Sequence, residues 1–399
     1  MTAPGVAEIR DAIAASGSSA SEQVRACLAR IAAIEGASDR GLGAFTRVHG
    51  ERALARAEAL DARIKHGESP SAIGPLAGVP VAVSDAIGTG YQRLEAAGAV
   101  IVASSAMSAG ESAIGNPWDP TRDAGDGSAA AVASGAVPAA VCFGPRGTIA
   151  RASALSGAVG LTPSSGAVPP PEVVASGPDG GEIGPVTRSV GDAALLFDAV
   201  SGSDRHELHE LHNLRGLRDG GIPGGVTLAV PASAGGESID PRARLVFGLL
   251  ARALGERDVA FEEVELASAA EVRAASLDGG DATPEAETRR LIRSDYQAIF
   301  DVMGCDAVLA PAAVCPAREA GGESDGASDA DAAEDAVLAG ACLAGLPVVS
   351  IPAGFVPEGD RTLPIGVHLI GPEGGDARVL RVAHEIESVT GFAGRCASA

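Results

Sequence analysis

The chain has 399 residues, of which 46% are hydrophobic and 21% charged. It can therefore bury a large core, either as one big domain or as roughly two or three small ones. Its formal net charge is −22, from 52 acidic and 30 basic residues. A field of that sign repels phosphate backbones and anionic lipid, which argues against a nucleic-acid-binding or membrane-binding protein.

The first residues, MTAPGVAEIRDAIAASG, lack the basic and apolar regions of a signal peptide. No run of about 18 apolar residues avoids Gly, Pro and charge, so the sequence predicts no membrane span. The six cysteines lie far apart and form no C-x-x-C pair. This spacing favours reduced thiols over disulfides or a metal site, and we expect a cytoplasmic protein.

Residues 1–66 are predicted to form N-terminal helices. Apolar residues recur at helical spacing over 6–36, which indicates two helices, with Ser19 or Ser21 capping the second. A third helix is predicted over 51–66, with charges on its outer face. Lys65, the only lysine in the chain, lies near the end of this helix. A cation at that position interacts favourably with the helix dipole, so we interpret Lys65 as a solvated helix-end residue.

Beyond residue 66, apolar strands alternate with helices, a pattern that favours an α/β fold with a large, mixed, buried sheet. The predicted strands are GVPVAVSD (78–85), AVIVAS (99–104), VTLAVP (226–231), DAVLAP (306–311), LPVVSIPAGF (346–355) and LPIGVHLIG (363–371). The predicted helices are YQRLEAAG (91–98), GSAAAVASGAV (127–137), SVGDAALLFDAVSG (189–202), RARLVFGLLARAL (242–254) and DARVLRVAHEIESVTG (376–391). Residues 317–334 are acidic and of low complexity, which predicts a solvated loop.

Several segments together resemble the amidase signature family. They occur in the family's order and are GPLAGVPVAVSD (74–85), NPWDPTR (116–122), GSAAAVASGAVPAAV (127–141), GAVGLTPSSGAV (157–168), GPVTRSVGDAALLFDAV (184–200), GLPVVSIPAGF (345–355) and LPIGVHLIG (363–371). The resemblance covers nearly the whole chain and implies one amidase-signature domain over 1–399, a large mixed sheet sandwiched by helices. Residues 74–202 are the part that resembles the signature core in a degenerate form.

The resemblance implies amide hydrolysis by a Ser–cis-Ser–Lys triad. In that chemistry a serine attacks the carbonyl, a bridging serine passes its proton to a neutral lysine, and backbone N–H groups hold the oxyanion. The matching positions here depart from the family pattern. Ser84 stands where the lysine is expected. The turn that should supply the bridging serine is shortened to DAGDG (123–127), which aligns Ser128 with a helix-side serine.

The nucleophile position also departs from the pattern. The segment GPRGTIAR (144–151) places Thr148 where the serine is expected, and Arg146 and Gly147 where two glycines are expected. The β-methyl group of Thr148 would crowd the attack, and Arg146 would bring a large cation to the oxyanion hole. Removing one member of a comparable triad costs on the order of 10⁴–10⁶ in rate. We therefore expect conventional triad hydrolysis to be lost.

Two other groups of residues are candidates for chemistry. His206, His209 and His212 recur at a spacing of three, so a pair of metal ligands is geometrically possible on a helix, although a solvated surface segment is the favoured interpretation. Asp123 and Asp126 lie in the shortened turn and would act as a base for Thr148 only if brought together, whereas turn formation and helix capping are the favoured explanation. The sequence contains no phosphate-binding loop or dinucleotide motif, and no cofactor or metal is expected.

The sequence thus favours a non-hydrolytic member of the family that acts as a binding or scaffolding subunit. Its partner would be another enzyme subunit or a second copy of the chain, and its ligand a small amide or carboxylate. The degenerate catalytic positions would be Thr148, Ser84 and Ser128. Asp126, Arg146 and Gly147 would bind the ligand. The alternative is a divergent amide C–N hydrolase or acyl-transfer enzyme that uses Thr148 with a base other than lysine.

Overall fold

The computed structural model describes residues 3–397 except for ten internal segments or positions, which are 37–40, 89–90, 108–113, 170–180, 202–224, 238, 270, 273–285, 314 and 321–328. At 286 and 329–335 it describes the backbone only. The predicted His206, His209 and His212 group therefore lies outside the described residues.

The described helices include those predicted from apolar periodicity, but the helices at 70–73, 148–156, 286–297 and 329–344 were not predicted. The described helices are α1 Val6–Ala14, α2 Ala20–Glu35, α3 Gly50–Lys65, α4 Pro70–Ile73, α5 Gln92–Ala96, α6 Gly127–Ala133, α7 Thr148–Ser156, α8 Val190–Val200, α9 Pro241–Gly255, α10 Ala286–Gln297, α11 Asp329–Ala344 and α12 Asp376–Thr390. Among these helices, none combines the length and apolar character that a bilayer crossing requires.

Most strands are short and buried, whereas the two C-terminal strands have 11 and 10 residues. The strands are β1 Phe45–Val48, β2 Pro80–Ser84, β3 Val100–Ser105, β4 Gly115–Asn116, β5 Asp119–Asp123, β6 Ala140–Gly144, β7 Val159–Thr162, β8 Glu182–Thr187, β9 Thr227–Pro231, β10 Ala260–Val264, β11 Ala307–Pro311, β12 Val348–Glu358 and β13 Arg361–Ile370.

In the described residues, eleven strands form one sheet in the order β1-β3-β2-β6-β8-β7-β12-β13-β11-β9-β10, and β4 pairs with β5 in a separate two-stranded sheet. The β2–β3 and β2–β6 pairs are parallel, whereas β6–β8, β7–β12 and β12–β13 are antiparallel. Every residue of β2 and β3 is buried, which explains why these strands are continuous apolar runs and do not alternate with polar residues. The predicted large mixed sheet flanked by helices is confirmed.

Side-chain caps lie at the starts of α2 and α8, and a carboxylate of α8 also joins that helix to α1. Ser19, one of the two residues predicted to cap α2, accepts a hydrogen bond from the Glu22 backbone N–H. Ser189 caps α8 by accepting from the Asp192 N–H. The Asp192 carboxylate, in contrast, accepts the backbone N–H groups of Val6 and Ala7 at 2.9 Å. It therefore serves the first turn of α1 and joins two helices that are distant in sequence.

The prediction of a solvated loop over 317–334 is wrong at both ends of the segment. Ala317 is buried, and Glu319 forms a β-bridge with Arg122, so the segment begins packed against the β4–β5 hairpin. The backbone is helical from Asp329, where α11 begins. Acidic residues in a first helical turn interact favourably with the helix dipole. An acidic composition, which is typical of a solvated loop, therefore also suits the start of a helix.

Candidate functional site

The position that matches the family lysine lies at the carboxyl end of β2. Ser84 is the last residue of this strand and is completely buried. Its hydroxyl donates a hydrogen bond to the Phe143 carbonyl of β6 at 3.4 Å, and its register partner on β3 is Ser105. A hydroxyl in this position offers no basic nitrogen to accept a proton.

Ser128 lies in the first turn of α6 and is also completely buried. Its Oγ is 2.8 Å from Ser105 Oγ, and its backbone N–H donates to Asp126 Oδ1 at 2.7 Å. Asp126 is the N-cap of α6, and burial raises the pKa of its carboxyl group. The structure thus brings Ser84 and Ser128 to one edge of the sheet, where Ser105 lies between them.

Ser105 was missed by the sequence reasoning. The detectable signal was that VAVS and VIVASS both end in serine at the carboxyl ends of adjacent parallel strands, which meet at one edge of a sheet. Cys142 joins the same buried group, since its Sγ is 3.5 Å from Asp126 Oδ1. Burial and the nearby carboxylate hold the pKa of the Cys142 thiol well above its usual range. An inert, protonated thiol follows from that shift.

Thr148 is the first residue of α7 and is half-buried. The preceding Gly147 has φ +84°, a left-handed conformation that glycine adopts without strain and that turns the chain into the helix. The Thr148 side chain lies against Gly144, where an added Cβ would be 3.0 Å from Thr148 Cβ. Within the described part of the chain, the Thr148 hydroxyl makes no hydrogen bond to the buried serines.

A carboxylate that the sequence reasoning missed occupies the start of α7. Glu182 Oε1 accepts the backbone N–H groups of Gly147 at 3.0 Å and Ile149 at 3.3 Å, and the Thr162 hydroxyl at 3.2 Å. These N–H groups flank Thr148 on both sides. Burial raises the pKa of Glu182 to about 7, although the three donors act in the opposite direction.

Arg146 does not fill the position in which the sequence placed it. Its side chain is exposed, and Nη1 donates to the Cys342 carbonyl of α11 at 2.6 Å. The guanidinium therefore contacts the last turn of a neighbouring helix, and the N–H groups around Thr148 face the Glu182 carboxylate. Gly147, predicted to contact a ligand, has its N–H already engaged.

A cavity of about 260 Å³ opens beside this helix start. Its walls combine the Glu182 and Arg146 side chains with an apolar surface. The lining residues are Phe143, Arg146, Thr162, Pro163, Ser164, Ser165, Gly166, Val168, Gly181, Glu182, Ile183, Cys342, Gly345 and Leu346. Thr148 is not among them, so this cavity lies beside the nucleophile position and does not converge on it.

Both members of the candidate carboxylate pair accept backbone hydrogen bonds within their own turns. Asp123 Oδ1 accepts the Gly125 N–H at 3.1 Å and shapes the turn, while Asp126 caps α6. The two residues thus have the favoured turn-forming and capping roles. In the ranges that the structure describes, no cluster of three or more His, Cys, Asp or Glu side chains is placed to hold a metal ion. Lys65 lies at the exposed end of α3.

Comparison with known proteins identifies the family. A sequence model described as Amidase matches residues 91–282 and 280–380. The chain belongs to the amidase family. Among curated relatives of this amidase-family chain, a glutamyl-tRNA(Gln) amidotransferase subunit from Symbiobacterium thermophilum is 39% identical over 261 residues, which are 56% of this chain and 52% of the relative. The chain thus matches about half the length of that relative.

Solved structures match over almost the full length. A chain described as part of an unexpected vestigial protein complex, which reveals the evolutionary origins of an s-triazine catabolic enzyme, has a TM-score of 0.81 and 26% identity. The match covers 99% of this chain and 100% of that chain. The peptide amidase PAM in complex with chymostatin has a TM-score of 0.79 at 21% identity, which shows that the fold is shared.

Proposed function

We propose that this amidase-family chain is a non-hydrolytic subunit that binds a small ligand or a protein partner. The loss of the Ser–cis-Ser–Lys triad is part of this proposal. The observation that carries it is the Glu182 carboxylate on the Gly147 and Ile149 N–H groups. Amide hydrolysis needs such donors free for the oxyanion of the transition state, and here an oxygen of the Glu182 side chain already accepts their hydrogen bonds.

The buried serines support the same proposal. Ser84 and Ser128 are completely buried, and both hydroxyl groups have partners within the protein. Neither side chain can accept a proton from Thr148 in the way that the family lysine would. Relatives named as one component of an amidotransferase, and a structural match described as part of a complex, are consistent with a chain that works together with a partner.

The second candidate is a divergent amide hydrolase or acyl-transfer enzyme, and the names of the relatives favour it. The observation in its favour is that Glu182, with a pKa of about 7, lies beside Thr148. In this mechanism the Glu182 carboxylate takes the hydroxyl proton while Thr148 Oγ1 attacks the carbonyl carbon, and the amine leaves with that proton as the ester forms. Glu182 would first have to release the two N–H groups.

Turnover of simple amides separates the two candidates. The wild type is assayed beside Thr148→Ala, Thr148→Ser and Glu182→Gln, against primary and aryl amides. The non-hydrolytic proposal predicts that none of the four proteins exceeds the uncatalysed rate. The second proposal would replace the first if the wild type is active and three results follow. Activity would be abolished in Thr148→Ala, reduced in Glu182→Gln and retained in Thr148→Ser.

Ligand binding is measured on the same proteins by thermal unfolding in the presence of small amides and carboxylates. A ligand of the folded state raises Tm in a saturable way. If the cavity beside α7 is the binding site, Arg146→Ala weakens that response, because it removes the cation from the cavity wall. Arg252→Ala serves as the control, since Arg252 is an exposed arginine on α9 that does not line this cavity.

A further inference from the structure

Three side chains with unpaired polar atoms lie in the core, away from the buried serines and Glu182. Ser153, Ser350 and His368 are 0%, 0% and 2% exposed. Neither serine hydroxyl has a hydrogen-bond partner within the described protein. The His368 ring has at most one, the backbone of Ala312, so at least one of its two nitrogens is unpaired. Buried polar groups in folded proteins are nearly always paired with protein or with ordered water, so three side chains with unpaired polar atoms in one region require an explanation.

The sheet register places these side chains on one face. Ser350 of β12 pairs with Gly160 of β7 and with His368 of β13. Residues directly opposite each other in a ladder project from the same face of a sheet. A Cβ added to Gly160 would collide with Ser153 Oγ of α7, so this face is the one that α7 covers. Ser350 and His368 therefore point toward the same helix that carries Ser153.

His368 is linked to α7 by a second observation. Burial, followed by the Arg151 charge, lowers the pKa of His368 to about 3, although a hydrogen bond to the Ala312 backbone acts in the opposite direction. Arg151 belongs to α7 and precedes Ser153 by two residues. The histidine is thus neutral at physiological pH, with one ring nitrogen able to donate and the other able to accept.

We propose that Ser153, Ser350 and His368 line a buried hydration site between α7 and the β7–β12–β13 part of the sheet. The ligand class is water, because the three side chains are uncharged and together supply both donors and acceptors. An ordered internal water makes about three hydrogen bonds to buried polar groups that otherwise lack partners. The occupant must be small, since a Cβ added to Gly366 on β13 would already lie 2.9 Å from the Ala154 Cβ of α7.

This site would couple α7 to the centre of the sheet through solvent. The inference does not depend on whether Thr148 is a nucleophile, so failure of the proposed function would leave it unaffected. Its consequence is measurable in stability, because a hydroxyl that bonds to water stabilises the fold, while a dry, unpaired hydroxyl destabilises it.

The test compares Ser153→Ala, Ser350→Ala and the double variant by thermal unfolding. If water is bound, each single variant lowers Tm by about 1–3 °C, and the double variant loses less than the sum because both changes disrupt one network. Ser156→Ala is the matched control: its hydroxyl bonds to the Ala124 carbonyl at 3.2 Å, so it reports the loss of an ordinary buried hydrogen bond in the same helix.

Single variants that leave Tm unchanged or raise it, with additive effects, would overturn the proposal, because they indicate a dry pocket. A crystal structure of the wild type provides a reading that does not depend on the variants folding. We expect a density peak within hydrogen-bond distance of all three side chains. An empty pocket, or an occupant other than water, would contradict the proposal.

Discussion

At the scale of single residues, one carboxylate decides what the start of α7 can do. Backbone N–H groups at a helix N-terminus attract anions, and Glu182 supplies one from within the chain. Glu182 as a whole is half-buried, but its carboxyl group is largely withdrawn from water, so its charged form is costly and its pKa rises to about 7. The site is therefore closed by a group whose charge changes near neutral pH.

This raised pKa predicts a pH-dependent stability. The folded-state pKa of Glu182 lies above the ordinary value of 4.5, so the folded chain binds the proton more tightly than the unfolded chain does. The free energy of unfolding should consequently fall as the pH rises from about 4.5 through about 7. Glu182→Gln removes this contribution, and its Tm relative to wild type should increase from about pH 5 to about pH 8. A difference that is constant over this range would show that Glu182 does not titrate as described.

At the scale of elements, caps from distant residues hold the helices in place. The Asp192 carboxylate on α8 accepts the Val6 and Ala7 N–H groups at the start of α1. Apolar periodicity along α1 predicted the helix, but the residue that caps it lies far away in the sequence. Periodicity reports only which face of a helix is buried, so a tertiary cap of this kind is invisible to it.

Replacing Asp192 with alanine should destabilise the protein by about 2 kcal/mol, because two buried N–H groups lose their acceptor. Chemical denaturation measures this change. Asp11→Ala is the control in α1: Asp11 pairs with Arg10, but its side chain is 58% exposed, so its loss should change stability by less than about 0.5 kcal/mol. Equal effects of the two substitutions would contradict the capping role of Asp192.

At the scale of the whole molecule, the large mixed sheet matches the amidase family, while residues at the ends of its strands differ from the family pattern. The family order of segments predicted this fold, and the 11-stranded sheet confirms it. The position of Ser128 in a helix was also predicted, because the segment before it is short. Ser105 and Glu182 were not predicted, since each acts through strand register or a tertiary contact that a single sequence does not display.

The net charge of −22 predicts a response of the entire fold to salt. Like charges repel most strongly in the compact state, and added salt screens that repulsion over about 8 Å at 0.15 M. Raising NaCl from about 10 to roughly 300 mM should therefore raise Tm. The measurement is repeated with choline chloride, which separates screening from specific ion binding. A fall in Tm with both salts would show that favourable ion pairs outweigh the repulsion.

Whether Thr148 still acts as a nucleophile can be tested without knowing any substrate. The protein is incubated with a fluorophosphonate, which forms a covalent adduct with activated hydroxyl groups, and its intact mass is measured. Because Glu182 holds the N–H groups that flank Thr148, we expect an unchanged mass in wild type and in Thr148→Ala. A stoichiometric adduct on Thr148, absent from Thr148→Ala, would contradict the proposed loss of hydrolysis.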